Sequence, residues 1–221
     1  MIDIEKYISD LIKEFKSCFE ERLIYVGLQG SYLRGEANDE SDIDIMTVID
    51  GLSVSDLQLY RSIIESMPYA DKSCGFICSR EDLMHWNPLE MFHLLYSTED
   101  RYGKLADLIP SYSTADIRNF VKMSINNMYH ELCHRYIHGD QGNTAAALPA
   151  IFKGVFFILQ DKYFLTHGEF YGTKIELLKH LEGSDRAVLE RSIDLKTGQD
   201  CAYEDSFQIL FTWCQETLSS L

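Results

Sequence analysis

The chain has 221 residues, of which 46% are hydrophobic and 12% aromatic, so it can bury the core of one large domain or two small ones. Its formal net charge of −15 argues against a long nucleic-acid partner, because proteins that bind such partners usually neutralise phosphates with a basic face. A small nucleotide stays compatible with this charge, since metal ions and a few local cations can meet its phosphates.

The sequence has no segment typical of secretion or of a membrane span. The first charge of the N-terminus is acidic and its apolar residues have helical spacing, which is unlike a secretory signal. The most apolar stretch, LPAIFKGVFFILQ, is interrupted by Pro149 and Lys153 and is shorter than the ~18 apolar residues that a transmembrane helix needs. The sequence therefore predicts a cytoplasmic protein.

The N-terminal half alternates helical and extended patterns, as α/β proteins do. Apolar positions at helical spacing predict a first helix over residues 3–20. Buried strands are predicted from RLIYVGLQG (22–30), DIDIMTVID (42–50) and KSCGFICS (72–79). Further helices are predicted from VSDLQLYRSIIESM, capped by Ser53 or Ser55, and from REDLMHW, capped by Ser79. The segment EMFHLLYS fits either a fourth strand or a helix.

Beyond Pro110 the pattern becomes helical throughout. Periodic segments predict helices over roughly residues 114–138, 144–166, 173–182, 184–194 and 203–219. Polar and glycine-containing stretches such as THGEFYG separate them. The sequence therefore predicts a small α/β domain over residues 1–110 and an all-α helical bundle domain over residues 111–221.

The chain has six cysteines, Cys18, Cys74, Cys78, Cys133, Cys201 and Cys214. None forms a C-x-x-C pair, which argues against a structural zinc knuckle. Cys74 and Cys78 share one face of the third predicted strand. We therefore predict that the cysteines are buried, reduced thiols.

Two aspartates stand at the start of the second predicted strand. Because side chains alternate along a strand, Asp42 and Asp44 face one side while Ile43 and Ile45 face a core on the other. Neighbouring carboxylates repel each other, which favours protonation of one unless a cation lies between them. Mg²⁺ commonly binds one or two carboxylates together with substrate phosphates, and two such ions can stabilise a phosphoryl displacement. The pattern therefore predicts a magnesium site on Asp42 and Asp44.

The preceding segment, GSYLRG, has the residues of a phosphate site. Gly30 allows the backbone to approach a phosphate closely, and the amide and hydroxyl of Ser31 can donate to its oxygens. Arg34 can offer its guanidinium fork to the same phosphates. Ser41, directly before the aspartates, completes the candidate nucleotide-binding residues. The alternative is a polar turn with surface aspartates, but the combination of glycine–serine, arginine and paired aspartates favours a nucleotide and metal site.

GSYLRG followed by SDIDI resembles the signature of the DNA polymerase beta nucleotidyltransferase superfamily. The layout, an α/β half before a helical half, is similar to the antibiotic nucleotidyltransferases of the kanamycin and lincosamide type. The clear motif covers residues 28–45, and a weaker resemblance extends over roughly the first 105 residues, including DRYG at 100–103. The resemblance implies an α+β fold with a small mixed sheet. It also implies catalytic metal on Asp42 and Asp44, triphosphate on Gly30 and Ser31, and assistance from Arg34.

The third predicted strand departs from that superfamily, whose members usually have a third carboxylate there. KSCGFICS contains no acid, and Asp71 just before it is the nearest candidate. If the second and third strands run parallel, Asp71 lies at the same end of the sheet as Asp42. We therefore predict Asp71 as a third catalytic residue. A carboxylate of the helical half, or a catalytically weakened site, is the alternative.

A second metal motif lies in the predicted helix over residues 114–138. HELCH, from His130 to His134, fits H-E-x-x-H, in which two histidines bind zinc and the glutamate activates water. Its continuation does not match the longer metzincin pattern, so a zinc hydrolase is the minor alternative. Other candidates in this half are the cations Lys153, Lys162 and Lys174 and the base Glu131, although each such residue is more often a solvated surface side chain.

The function predicted from these observations is a nucleotidyltransferase that uses two Mg²⁺ ions. It moves a nucleoside monophosphate from a nucleoside triphosphate, ATP in the first place, to a hydroxyl of a small molecule such as an antibiotic. The acidic surface suits a cationic acceptor. No membrane partner is expected, and a homodimer stays open. The alternative is a nucleotide-binding regulatory or antitoxin-like protein with weak or protein-directed transferase activity, which the absent third acid motivates.

Overall fold

The computed structural model describes residues 2–139, 141–199 and 202–221 and, for residues 141–145, the backbone alone. The chain divides into two compact units, Met1–Ser111 and Tyr112–Leu221. The first unit contains a four-stranded mixed sheet with helices, and the described part of the second is helical. The fold is therefore α+β, with a mixed sheet followed by a helical region, as predicted.

The first unit interleaves strands and helices. Its strands are β1 (Leu23–Leu28), β2 (Ile43–Ile49), β3 (Ser73–Cys78) and β4 (Glu99–Tyr102). Its helices are α1 (Ile4–Phe19), α2 (Gly30–Leu33), α3 (Val54–Ser66), α4 (Arg80–Met84) and α5 (Pro88–Tyr96). Ser53 and Ser79 cap α3 and α4 with capping boxes, each completed by the aspartate three residues later.

The sheet has the strand order β3-β2-β1-β4. β1 pairs antiparallel with β2 and β4, whereas β2 and β3 run parallel and are joined by the crossover helix α3. Two segments needed the structure to assign them. EMFHLLYS belongs to helix α5, which Asn87 caps and which has Pro88 at its first position. The fourth strand is instead Glu99–Tyr102, a short charged segment without apolar alternation.

The core of the first unit places the carboxylates of β2. Leu11 and Phe15 of α1 pack in one buried cluster with Ile43 and Ile45 of β2, and α3 contributes Ile63. Side chains alternate along a strand, so the burial of the two isoleucines on this face turns the residue between them to the opposite face. The apolar pattern of the sequence therefore fixes the side of the sheet on which Asp44 lies.

The second unit has a core of its own. Its helices are α6 (Thr114–His138), α7 (Gln141–His167), α8 (Lys174–Leu178), α9 (Gly183–Lys196) and α10 (Tyr203–Ser220). Phe152, Leu210 and Trp213 are fully buried in its cluster. The predicted segments all correspond to these helices, although α8 is shorter than predicted. In the part of the chain that the structure describes, no helix is long and apolar enough to cross a membrane.

The cysteines correct one prediction. Cys18, Cys74, Cys78, Cys133 and Cys214 are free thiols, but only Cys78 and Cys214 are buried, while Cys18 and Cys74 are exposed. Cys201 lies outside the described residues. Cys74 and Cys78 differ because burial increases along the edge strand β3, from the exposed Cys74 and Gly75 to the buried Cys78. The exposed Cys74 proves to be part of the candidate site.

Candidate active site

The turn after β1 brings the backbone against a carboxylate. Gly30 follows the end of β1, has a φ of +68°, and starts the short helix α2, which the sequence did not predict. A Cβ added to Gly30 would overlap the carboxylate of Asp44. Both the left-handed conformation and the absence of a side chain are therefore needed here. The predicted phosphate turn and the predicted metal ligand lie in direct contact.

Hydrogen bonds hold this turn in place from two sides. The Gln29 amide donates to the Asp44 carbonyl at 2.9 Å, which extends the pairing of β1 with β2 beyond the last strand residue. The Gln29 side chain donates to the Thr98 hydroxyl at 2.8 Å, and Thr98 donates to the Leu94 carbonyl at 2.6 Å. Sequence analysis missed this support, since it joins residues 69 positions apart.

The two aspartates sit at the start of β2 in different environments. Asp42 precedes the strand and is exposed, whereas Asp44 is half-buried. Burial raises the pKa of the Asp44 carboxyl, and the charge of Asp42 adds to the rise. The neighbouring Cys74 thiol and the charge of Arg34 lower this pKa, against the larger effect of burial. A bound cation would offset the unfavourable free energy of a charged carboxylate in this position.

The predicted phosphate ligands differ in whether their side chains already have partners within the protein. Among the described residues the Ser31 hydroxyl has no hydrogen-bond partner, so it can donate to a ligand. The Arg34 guanidinium pairs with Glu36 at 3.2 Å and is close enough to Asp44 to influence its ionisation. The Ser41 hydroxyl instead closes a turn with Asn38, accepting from its amide at 2.9 Å. Ser41 would have to leave that turn in order to bind phosphate.

The position beside Asp44 on β3 is occupied by Cys74. The parallel register pairs Asp44 with Cys74. Asp71 lies in the turn before β3, is exposed, and falls three residues short of this register position. Its role as a third acid stays a prediction. Cys74 was missed, although strand alternation together with the register would have identified it.

The HELCH motif lies on α6. His130, His134 and His138 are exposed along one helix face, with ring centroids 6.0 and 5.0 Å apart. Glu131 forms an ion pair with Arg135 at 2.9 Å. Across residues 2–139, 141–199 and 202–221, no group of three or more histidine, cysteine or acidic side chains is placed to hold a metal ion. The structure therefore offers this motif no third ligand from the described residues.

The candidate lysines of the helical unit are mostly engaged within it. Lys162 forms an ion pair with Asp185 at 2.7 Å, and the same carboxylate accepts from the Trp213 indole at 2.6 Å. Lys174 donates to the Ser192 hydroxyl at 2.9 Å. Lys153 is exposed on α7. Of the three, Lys153 is the one whose position resembles an ordinary solvated lysine.

Comparisons with known proteins point to nucleotidyltransferases. Residues 8–72 match the family model described as a nucleotidyltransferase domain. No curated protein matches the chain. Among solved structures, a spectinomycin adenyltransferase from Enterococcus faecialis, crystallised with ATP and spectinomycin, aligns over 97% of this chain and 99% of that chain, with a TM-score of 0.54 and 15% identity. At this identity the alignment shows a common fold.

The matched segment contains the parts of the site described above. Residues 8–72 run from α1 to the turn before β3 and include the Gly30 turn and the aspartates of β2. The solved structure has the same α+β architecture over nearly the whole chain. Residues 8–72 are therefore similar to a nucleotidyltransferase domain, and the chain shares the fold of the solved adenyltransferase.

Proposed function

We propose that the protein is a magnesium-dependent nucleotidyltransferase that moves a nucleoside monophosphate from ATP to a hydroxyl of a small molecule. The observation that carries this proposal is the contact between the Gly30 turn and the Asp44 carboxylate. The turn allows a phosphate to approach the backbone closely, and the half-buried carboxylate lies directly beside it. A triphosphate and its metal ion can therefore be bound together here.

Each residue of the site has a separate task in this proposal. The Gly30 and Ser31 segment donates to triphosphate oxygens, and Arg34 adds a positive charge beside them. Asp42 and Asp44 hold Mg²⁺, which when bound supplies positive charge to the phosphates of the displacement. The acceptor oxygen forms a bond to the α-phosphorus, the bond from that phosphorus to pyrophosphate breaks, and the hydroxyl proton is released.

The nature of the acceptor is proposed from two observations. The solved relative with the same fold was crystallised with ATP and spectinomycin, a small hydroxylated antibiotic. The net charge of −15 favours the approach of a cationic acceptor. We infer that the acceptor is a small, hydroxyl-bearing and positively charged compound.

Transfer can be measured with ATP labelled at the α-phosphate, Mg²⁺, and a panel of hydroxylated antibiotics that includes spectinomycin. We expect labelled acceptor and released pyrophosphate in equal amounts. The Asp42→Asn, Asp44→Asn double variant should lose both products, whereas Asp10→Asn, a change on the exposed face of α1, should keep them. Transfer that survives the double variant would contradict the proposed site.

Asp71 is proposed to act in the chemical step of the nucleotide-bound protein. Asp71→Asn should then lower the single-turnover rate of pyrophosphate release while leaving ATP binding unchanged. Because Asp71 is exposed, the substitution should not affect folding. A rate equal to that of the unchanged protein would remove Asp71 from the site.

A second candidate function is favoured by Cys74. The sheet register places the Cys74 thiol beside Asp44, where a carboxylate would have added a third negative charge. The site therefore has less negative charge for binding metal ions than a site with three acids. A protein of this kind would bind nucleotide and turn over slowly, or modify a protein. Tight ATP binding without transfer to any small molecule, together with labelling of a protein substrate, would favour this candidate.

A further inference from the structure

The two edges of the sheet in the first unit differ in how they are protected. In the part of the sheet that the structure describes, β4 and β3 are the edge strands. β4 is short and carries the charges of Glu99, Asp100 and Arg101, a common way in which proteins prevent an edge strand from pairing with another chain. β3 has the sequence SCGFIC, with neither a charge nor a proline. The outer edge of β3 therefore has the features of a strand that can pair.

A groove lies along this edge, between β3 and α3. Tyr60 and Ile64 of α3 line one side of it, and Gly75 and Ile77 of β3 line the other. Gly75 is exposed and has a φ of +147°, and a Cβ added to it would overlap the Ile45 carbonyl, so only glycine fits here. The edge thus presents bare backbone beside an apolar groove. An added strand can use both, because its backbone pairs with the edge while its side chains enter the groove.

Two charges of opposite sign lie on the α3 side of the groove. Arg61 and Glu65 both line it and are exposed. Among the described residues neither has an ion-pair partner. They are about one helical turn apart on the same face of α3. A second copy related by a two-fold axis would present the same two charges in the reverse order, so that each arginine faces a glutamate.

We propose that the β3 edge binds β3 of a second copy of this chain, antiparallel and around a two-fold axis at Phe76. Gly75 then lies opposite Ile77 of the second copy. Opposed residues of antiparallel strands point to the same side of the sheet, so this isoleucine packs over the bare glycine in the groove. An axis at Gly75 would instead oppose two glycines and leave both grooves empty.

The other side of the sheet fits the same register. Side chains alternate along β3, so Phe76 points away from the groove, where its ring contacts that of Trp86 edge-on with the centroids 5.1 Å apart. On the two-fold axis the two Phe76 rings oppose each other, as aromatic cross-strand pairs do. The contact is therefore self-complementary on both sides of the sheet and in the charges of α3.

The first measurement is sedimentation equilibrium of the whole chain in about 0.15 M NaCl, which limits the repulsion between two acidic copies to short distances. We expect a monomer–dimer equilibrium with a Kd on the order of micromolar, as for a small interface. A chain that stays monomeric over the whole soluble concentration range would overturn the proposal.

The second measurement reverses the two charges separately. Arg61→Glu and Glu65→Arg each oppose like charges at both symmetric contacts, so each should raise the dimer Kd about tenfold or more. Mixing the two variants should restore the unchanged Kd, because every glutamate then meets an arginine. Gln58→Glu, an exposed change on α3 outside the groove, is the control and should dimerise normally.

The mixture separates the contact from any effect on folding. Each substitution also creates a like-charge pair within its own helix, and that pair is still present after mixing. Recovery can therefore come only from contacts between chains. Single variants that dimerise normally, or a mixture that stays monomeric, would contradict the proposed contact.

Hydrogen exchange locates the interface on β3. Backbone amides of residues 73–78 should exchange more slowly as the protein concentration rises through the dimer Kd, whereas those of β4 should not change. A dimer in which β3 exchange is independent of concentration would have a different interface and would overturn the proposal. These experiments contain no nucleotide, so their outcome is independent of the proposed function.

Discussion

At the scale of single residues, the site depends on one glycine. Gly30 and Gly35 both have a positive φ, +68° and +67°, but only Gly30 has neighbours that a Cβ would meet. Gly30→Ala and Gly35→Ala should each lose about 1 kcal/mol or more of stability from backbone strain. Only Gly30→Ala should also lose magnesium–ATP binding, because its Cβ displaces Asp44. Urea unfolding and nucleotide titration measure the two effects, and equal nucleotide affinities in the pair would contradict the contact.

The phosphate ligands make a second prediction at this scale. Ser31→Ala and Arg34→Ala should each weaken ATP binding by roughly 1.5–3 kcal/mol, the usual size of a hydrogen bond to a charged group. That corresponds to about one to two decades in Kd. Both residues are half-buried at the surface of the turn, so stability should change little. The control is Arg61→Ala, an exposed arginine on α3. Unchanged affinity in both variants would exclude a phosphate role for these side chains.

At the scale of elements, Asp56 ties the start of α3 to the start of β1. Its carboxylate accepts from Ser53 in the capping box and from both terminal nitrogens of Arg22, at 3.0 and 2.6 Å. The hydrogen bond from Arg22, followed by that from Ser53, holds the pKa of Asp56 well below its ordinary value. A carboxyl with a lowered pKa stabilises the fold above its unfolded-state pKa, and this contribution is lost as the pH falls through its folded-state pKa.

Asp56→Asn should therefore be less stable than the unchanged protein at pH 7. The difference should narrow as the pH falls below about 4, where the unfolded-state aspartate becomes protonated. Urea unfolding across this pH range measures it. Asp10→Asn is the control, because Asp10 makes ion pairs on an exposed helix face and such pairs contribute little. A difference that stays constant with pH would mean that the ion pair is not the source of the stability.

The histidines of α6 give a second prediction at the element scale. His130 and His134 are exposed and Glu131 is paired with Arg135, so neither depends on a metal ion for its place in the helix. His130→Ala and His134→Ala should leave transferase activity and stability near those of the unchanged protein. Metal analysis of the purified protein is the second readout. If the purified protein contains stoichiometric zinc and both substitutions remove it, the HELCH motif would be a better candidate metal site than the aspartate pair of β2.

At the scale of the whole molecule, ligand binding is coupled to stability. The site residues lie within the folded first unit, and an unfolded chain cannot bring the Gly30 turn to Asp44. Mg²⁺ and ATP together should therefore raise the unfolding temperature, by the equivalent of about 2.7 kcal/mol at a ligand concentration of about 100 times Kd. Differential scanning calorimetry measures the shift. The Asp42→Asn, Asp44→Asn variant should lose it, and a shift that persists would place the nucleotide elsewhere.

The sequence by itself determined much of the local structure of this protein and the family that its motif resembles. Apolar spacing and capping residues predicted α1, α3 and the helices of the second unit, because helix formation depends on neighbours within a few residues. Strand alternation put Asp42 and Asp44 on one side of β2 for the same local reason. The glycine–serine turn and the aspartate pair were sufficient to predict the family that residues 8–72 match.

Only the tertiary structure decided which residues meet. Glu99–Tyr102 is a strand because it pairs with β1, although its own residues give no strand pattern. EMFHLLYS fits a strand or a helix by its own residues, and in the fold it belongs to α5, with Met91 and Phe92 buried. Cys74, and not Asp71, became the neighbour of Asp44 because the register between parallel strands depends on the packing of the whole sheet. Sequence distance along the crossover from β2 to β3 does not contain that register, so only the fold shows which residue lies beside Asp44.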